Sequence, residues 1–215
     1  MIFRPSFVFL DFDGVIMDSM GFKLESYCHA FDGMGFARAD IRKLQLAFAG
    51  LSRQKTIALI YRELSGREMP EDLFVAALAR FGEHDEDSRA RMALMPSAAE
   101  FLAAARETGV PLAVVTGTPQ AAIDRTVAHF ELGRFFVKVC GSPQSKPEHL
   151  RSLTAEHSLD PARCLFVGDA IKDQEAAAGA GIPFAGINNG DNPFRTEDLL
   201  LEVPSLGALI PFLRA

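Results

Sequence analysis

The strongest constraint in this chain is a repeated pattern of short, continuously apolar runs, each closed by a polar turn. Phe7-Val8-Phe9-Leu10 stops at Asp11; Pro111 to Val115 stops at Thr116-Gly117; Phe135 to Cys140 stops at Gly141-Ser142; Cys164 to Val167 stops at Gly168-Asp169; and Ile182 to Ile187 stops at Asn188-Asn189-Gly190. Runs of this length without alternation belong to strands covered on both faces, as in parallel sheets. Between them lie stretches of helical length. Ser97 and Glu100 have the spacing of a capping box, with Gly109 placed to end that helix. Thr118-Pro119 opens a second, with Ile123, Val127 and Phe130 on one face before Gly133; Pro147 opens a third, with Leu150 and Leu153 inward; and Gln174 to Gly181 forms an alanine-rich fourth. Strands alternating with helices specify a doubly wound, Rossmann-like parallel α/β core with right-handed crossovers.

Residues 19–91 break the alternation. Ile57, Ile60, Tyr61 and Leu64, then Leu73, Leu78 and Phe81, follow helical spacing, with turn signals at Ser65-Gly66 and Met69-Pro70. The expected organisation is a core of residues 1–18 and 92–215 with an α-helical insertion at 19–91. The 215 residues, 48% of them hydrophobic, suffice for one full core and such an insertion.

A formal net charge of −6 offers no basic surface for a nucleic-acid backbone, so small molecules or proteins are the expected partners. Cys28, Cys140 and Cys164 are odd in number and far apart, which suits buried thiols in a reducing cytoplasm rather than a disulfide framework. The first apolar stretch runs only about nine residues before Asp11, too short for a membrane span or a secretion signal.

In open parallel sheets, ligands bind beyond the carboxyl ends of the strands. The residues there are Asp11 and Asp13, Thr116 and Gly117, Ser142 to Lys146, and Asp169 to Asp173. Clustered carboxylates without histidine or thiolate neighbours suit a hard divalent cation, Mg²⁺ above all. Without one, the acids would raise one another's pKa. Asp11 and Asp13 are two apart, and Gly14 permits a tight turn that aims both at one substrate. An aspartate is a competent phosphoryl nucleophile. Lys146 can neutralise it and a phosphate, and Thr116 with the Gly117 amide can complete an anion cradle.

Asp11-Phe12-Asp13-Gly14-Val15-Ile16-Met17-Asp18, Val114-Val115-Thr116-Gly117, Ser145-Lys146-Pro147 and Val167-Gly168-Asp169-Ala170-Ile171-Lys172-Asp173 resemble, in order, the four motifs of the haloacid dehalogenase superfamily. The helical insertion resembles the cap of its phosphoglycolate phosphatase and β-phosphoglucomutase subgroup. Within it, Ala49-Gly50-Leu51-Ser52-Arg53 resembles the substrate-specificity loop. The resemblance implies Asp11 as nucleophile and metal ligand, and Asp13 as general acid and base with its carbonyl on the metal. It further implies Thr116, Gly117 and Lys146 on the phosphoryl group, Asp169 and Asp173 on Mg²⁺, and Arg53 and Lys23 as cap contacts to substrate.

Dehalogenases and phosphonoacetaldehyde hydrolases of the superfamily lack the second motif acid, so Asp13 points away from both, even though Lys23 and Lys55 could supply a Schiff base. The expected function is a cytoplasmic, Mg²⁺-dependent phosphatase, monomer or homodimer, acting on a small phosphorylated metabolite through an aspartyl-phosphate. A sugar phosphomutase is the alternative within catalysis; a phosphate-binding module without turnover is the alternative outside it. Asp18 is expected near the cap hinge or as a helix cap, and His84, within Glu83 to Asp87, in a solvated charged turn.

Overall fold

The computed structural model describes residues 3–188, 190 and 194–214, so the predicted turn residue Asn189 lies outside the described residues. In chain order the elements are β1 (Phe7–Leu10), β2 (Met17–Asp18), α1 (Met20–Ala30), α2 (Arg38–Ala47), α3 (Arg53–Ser65), α4 (Glu71–Ser88), β3 (Ala93–Leu94), α5 (Ala98–Thr108), β4 (Leu112–Pro119), α6 (Gln120–His129), β5 (Lys138–Ser142), α7 (Lys146–Glu156), β6 (Cys164–Gly168), α8 (Ile171–Ala180), β7 (Phe184–Ile187), β8 (Leu201–Val203) and α9 (Ile210–Arg214). Six strands form one sheet in the order β5-β4-β1-β6-β7-β8, with every neighbouring pair parallel. This is the α/β core that the alternation of strands and helices predicts.

Strand β1 sits centrally because it has apolar partners on both faces. Val8 and Leu10 join Val114, Leu165 and Val167 on one side, while Phe7 and Phe9 join Val115, Phe166 and Phe184 on the other. Each fully buried phenylalanine contributes roughly 1.5–3 kcal/mol relative to exposure. Helices α1 to α4 bury a third cluster of their own, built on Tyr27, Phe31, Ile57, Ile60 and Phe81. The two crossings between this cluster and the sheet lie side by side, because Met17-Asp18 pairs antiparallel with Ala93-Leu94.

Several expectations need correction. Ser97 has φ 63° and makes no side-chain cap bond, so no capping box forms there; its left-handed backbone turns the side chain toward Gly207 instead. The box forms at Ser145 and Glu148, where an extended N-cap backbone lets both side chains reach back. Strand β5 starts at Lys138 rather than Phe135, because Leu132–Phe135 form a 3-10 turn and Phe135 and Phe136 pack on the core. Helix α8 starts at Ile171 rather than Gln174, since the Asp173 carboxylate accepts the Ala170 N–H. His84 lies within α4 and not in a turn; its Nδ1 is 2.8 Å from the Ser26 hydroxyl. The short elements β2, β3, β8 and α9 carry too few residues to show periodicity.

Candidate active site

At the end of β1 the chain leaves the sheet while still tethered to it. The Asp11 N–H donates to the Val167 carbonyl at 2.9 Å, and one Asp11 oxygen accepts the Phe12 N–H at 2.8 Å. Its other oxygen, Oδ2, faces the Lys146 ammonium at 2.8 Å. The backbone can turn here because Gly14 holds φ +78°, and a Cβ at that position would run into the Asp169 carboxylate.

Asp13 is held from three sides. The Ser19 hydroxyl donates to it at 2.5 Å and the Thr118 hydroxyl at 2.9 Å, and Lys23 forms an ion pair with it. The Lys23 ammonium also donates to Thr118 Oγ1 at 2.6 Å, so α1 and β4 meet on this one carboxylate. Burial alone would raise the Asp13 pKa, but the Lys23 charge and the hydrogen bonds outweigh it and keep the group below the usual carboxylate value.

The other acids come from the end of β6. Asp169 follows Gly168 directly, and Asp173 occupies the first turn of α8, where its Oδ1 accepts from Lys146 Nζ at 2.5 Å. A Cβ on Gly168 would collide with Asp173, so only glycine lets that carboxylate fold back beneath the strand end. One oxygen each from Asp11, Asp169 and Asp173 lies within 4.8 Å of the others, and all three residues are buried. Burial, reinforced by the neighbouring Asp11 and Asp173 charges, pushes Asp169 well above the usual carboxylate value. Burial and Asp11 push Asp173 up to about 6 despite Lys146. For Lys146, burial acts downward, yet the charges of Asp11 and Asp173 prevail and hold its ammonium above the usual value. A buried set of hard oxygen donors that disfavours its own ionisation fits a small divalent cation, whose charge would relieve the repulsion.

The remaining wall is made by Thr116-Gly117 and by the helical segment. Thr116 is buried, and its Oγ1 accepts the Thr118 N–H at 3.2 Å. A Cβ on Gly117 would meet the Leu51 carbonyl oxygen at 2.7 Å, which shows how closely the 49–53 loop rests on the strand end. A cavity of about 60 Å³ lies between them. Asp11, Asp13, Thr116, Gly117, Lys146 and Asp169 line it from the sheet side, and Lys23 and Arg53 line it from the helices. Asp173 stands behind it, fully buried. Asp18 is exposed on β2 and makes no cap bond, and Lys55 lines a neighbouring cavity of about 320 Å³ instead.

Sequence reasoning passed over four residues that shape this site: Ser19, Gln45, Asp85 and Thr118. Asp85 is the most instructive. It is buried, its carboxylate lies 2.8 Å from Arg53, and the Arg53 guanidinium stacks 4.0 Å over Phe81. The spacing puts Asp85 one helical turn beyond Phe81 on the same face of α4, but it does not say which residue of another helix lies opposite.

Known proteins resemble this chain along nearly its whole length. Phosphoglycolate phosphatase 1 of Pseudomonas aeruginosa is 29% identical over 219 residues, spanning 96% of this chain and 79% of that protein. Phosphoglycolate phosphatase of Photobacterium profundum is 28% identical over 197 residues, spanning 86% of this chain and 84% of its own. Among solved structures, a predicted phosphoglycolate phosphatase from Haemophilus somnus superimposes with a TM-score of 0.81 at 22% identity, covering 96% of this chain and 97% of that one. CbbY from Rhodobacter sphaeroides, solved in complex with phosphate, gives 0.80 at 19% identity, covering 99% and 100%. The sequence profile of the haloacid dehalogenase-like hydrolases matches residues 8–187. That match spans well over half of the chain, and the chain belongs to the haloacid dehalogenase-like hydrolases.

Proposed function

We propose that this protein is a Mg²⁺-dependent phosphatase that hydrolyses a small phosphomonoester through an aspartyl-phosphate on Asp11. One observation carries the reading: a buried carboxylate at the end of the central strand, 2.8 Å from the Lys146 ammonium, faces a cavity that Asp13 also lines. Asp11 attacks phosphorus in line with the leaving oxygen, and Asp13 relays to that oxygen the proton carried by the phosphate monoanion, returning to its ionised form. Asp13 then removes a proton from the water that hydrolyses the acyl phosphate. Lys23 keeps Asp13 ionised, which is the form this second half requires. Lys146, the Thr116 hydroxyl and the Gly117 amide hold the phosphoryl oxygens. When bound by Asp11, Asp169 and Asp173, the cation lessens the repulsion between an anionic nucleophile and an anionic phosphoryl group.

In this reading residues 19–91 act as a cap over the 1–18 and 92–215 core, and the contact of Leu51 with Gly117 closes the site against bulk water. The phosphoglycolate phosphatases among the relatives support a phosphatase. Three free, buried cysteines support a reducing compartment, the cytoplasm. Among the described residues, no helix is long and apolar enough to cross a membrane.

The test is phosphate release from phenyl phosphate with and without Mg²⁺, for the wild type and for Asp11→Asn. Turnover is expected only with the cation, with a loss of about a thousandfold or more in the variant. Equal rates in the two proteins would refute the mechanism.

A further inference from the structure

Three buried side-chain oxygens have no hydrogen-bond partner among the described residues: Gln45 Oε1, Gln54 Oε1 and Ser142 Oγ. Of these, only Gln45 belongs to a residue lining the cavity that holds Asp11. Gln45 sits on α2, near the C-terminal end of that helix, and is 5% exposed. Buried amides are almost always paired, so an unpartnered one on a residue that lines this cavity points to a group that the cavity receives on rearrangement of that side chain.

The charges around it indicate which group. Three cationic residues line the cavity, and each is committed to a carboxylate: Lys23 to Asp13, Arg53 to Asp85, and Lys146 to Asp11 and Asp173. A second anion on the substrate would therefore be buried with no cation of its own, an arrangement proteins avoid. An alcohol hydroxyl carries no such cost and can either donate to the Gln45 oxygen or accept from its NH₂.

We propose that Gln45 is a specificity-determining residue that hydrogen-bonds the leaving group, and that the substrate is a phosphate ester of a small, neutral, hydroxyl-bearing alcohol rather than of a hydroxy acid. This rests on the phosphatase reading and narrows it.

The experiment compares kcat/KM for glycerol 3-phosphate, phosphoglycolate and phenyl phosphate, with Mg²⁺, in the wild type, Gln45→Leu and Gln45→Lys. The wild type is expected to favour glycerol 3-phosphate over phosphoglycolate by about tenfold or more. Gln45→Leu, which keeps the volume and removes the amide, is expected to lower the ratio of glycerol 3-phosphate to phenyl phosphate about tenfold, chiefly through KM. Gln45→Lys supplies the missing cation and is expected to move the preference toward phosphoglycolate. A wild type that prefers phosphoglycolate overturns the proposal without any variant. So does a Gln45→Leu protein slowed in equal proportion on all three esters, the signature of a merely structural residue. Wild-type protein inert toward all three, phenyl phosphate included, would instead overturn the phosphatase reading, and this inference with it.

Discussion

Asp13 sits in an environment whose parts act on its ionisation in opposite directions. Burial favours its neutral form, and Lys23, Ser19 and Thr118 favour its charged form more strongly. Removing the ammonium should let burial prevail. Lys23→Met is therefore expected to raise the Asp13 pKa and move the acidic limb of the dephosphorylation rate, the half that needs the free carboxylate, to higher pH in single-turnover measurements; an unmoved limb would show that Lys23 does not set this ionisation. The same depression bears on folding. A carboxylate whose folded pKa lies below its unfolded value stabilises the protein above the unfolded value, near 3.8, and that stability is lost as pH falls through the folded one. Asp11, Asp13, Asp169 and Asp173 stood out in the sequence because they lie within a few residues of the end of an apolar run. Gln45 and Asp85 did not, because their importance depends on what another helix places opposite them.

At the scale of elements, the central strand and the loop over Gly117 make separate contributions. β1 supplies rigidity: Phe9 is completely buried, and Phe9→Ala should cost about 3–5 kcal/mol, read from chemical denaturation. Gly117 supplies close approach. Its φ is not in the left-handed region, so Gly117→Ala need not strain the strand, but the new Cβ would press on the Leu51 carbonyl 2.7 Å away. The expected result is a raised KM with a thermal midpoint close to wild type. A large drop in midpoint with KM unchanged would mean that the loop's seat on the strand end serves folding and not substrate capture. The alternation of strand and helix was readable because it repeats over many residues. The β2-β3 pairing that brings both ends of the helical segment together was not, since two residues per strand carry no period.

Across the whole molecule, stability and cation binding are linked through the carboxylate cluster. Asp169 and Asp173 are both raised in the folded state, so folded protein holds their protons more tightly than unfolded protein does. Without a cation, stability should fall as pH rises from the ordinary carboxylate range through about 6, the Asp173 value. A divalent cation should restore it, and the rise in thermal midpoint on adding Mg²⁺ should be larger at pH 8 than at pH 5. A rise of equal size at both, followed by differential scanning fluorimetry, would argue that the cation binds elsewhere. The sequence by itself determined the parallel sheet, the helical insertion and the identity of the acids at the strand ends, because these follow from local runs, spacings and turn chemistry. Only the tertiary structure decided which charges neutralise one another across the cavity, Lys23 with Asp13 and Arg53 with Asp85. Those pairings join residues 10 and 32 positions apart in the chain. No local pattern encodes them; the packing of α1, α3 and α4 onto one another and over the strand ends does.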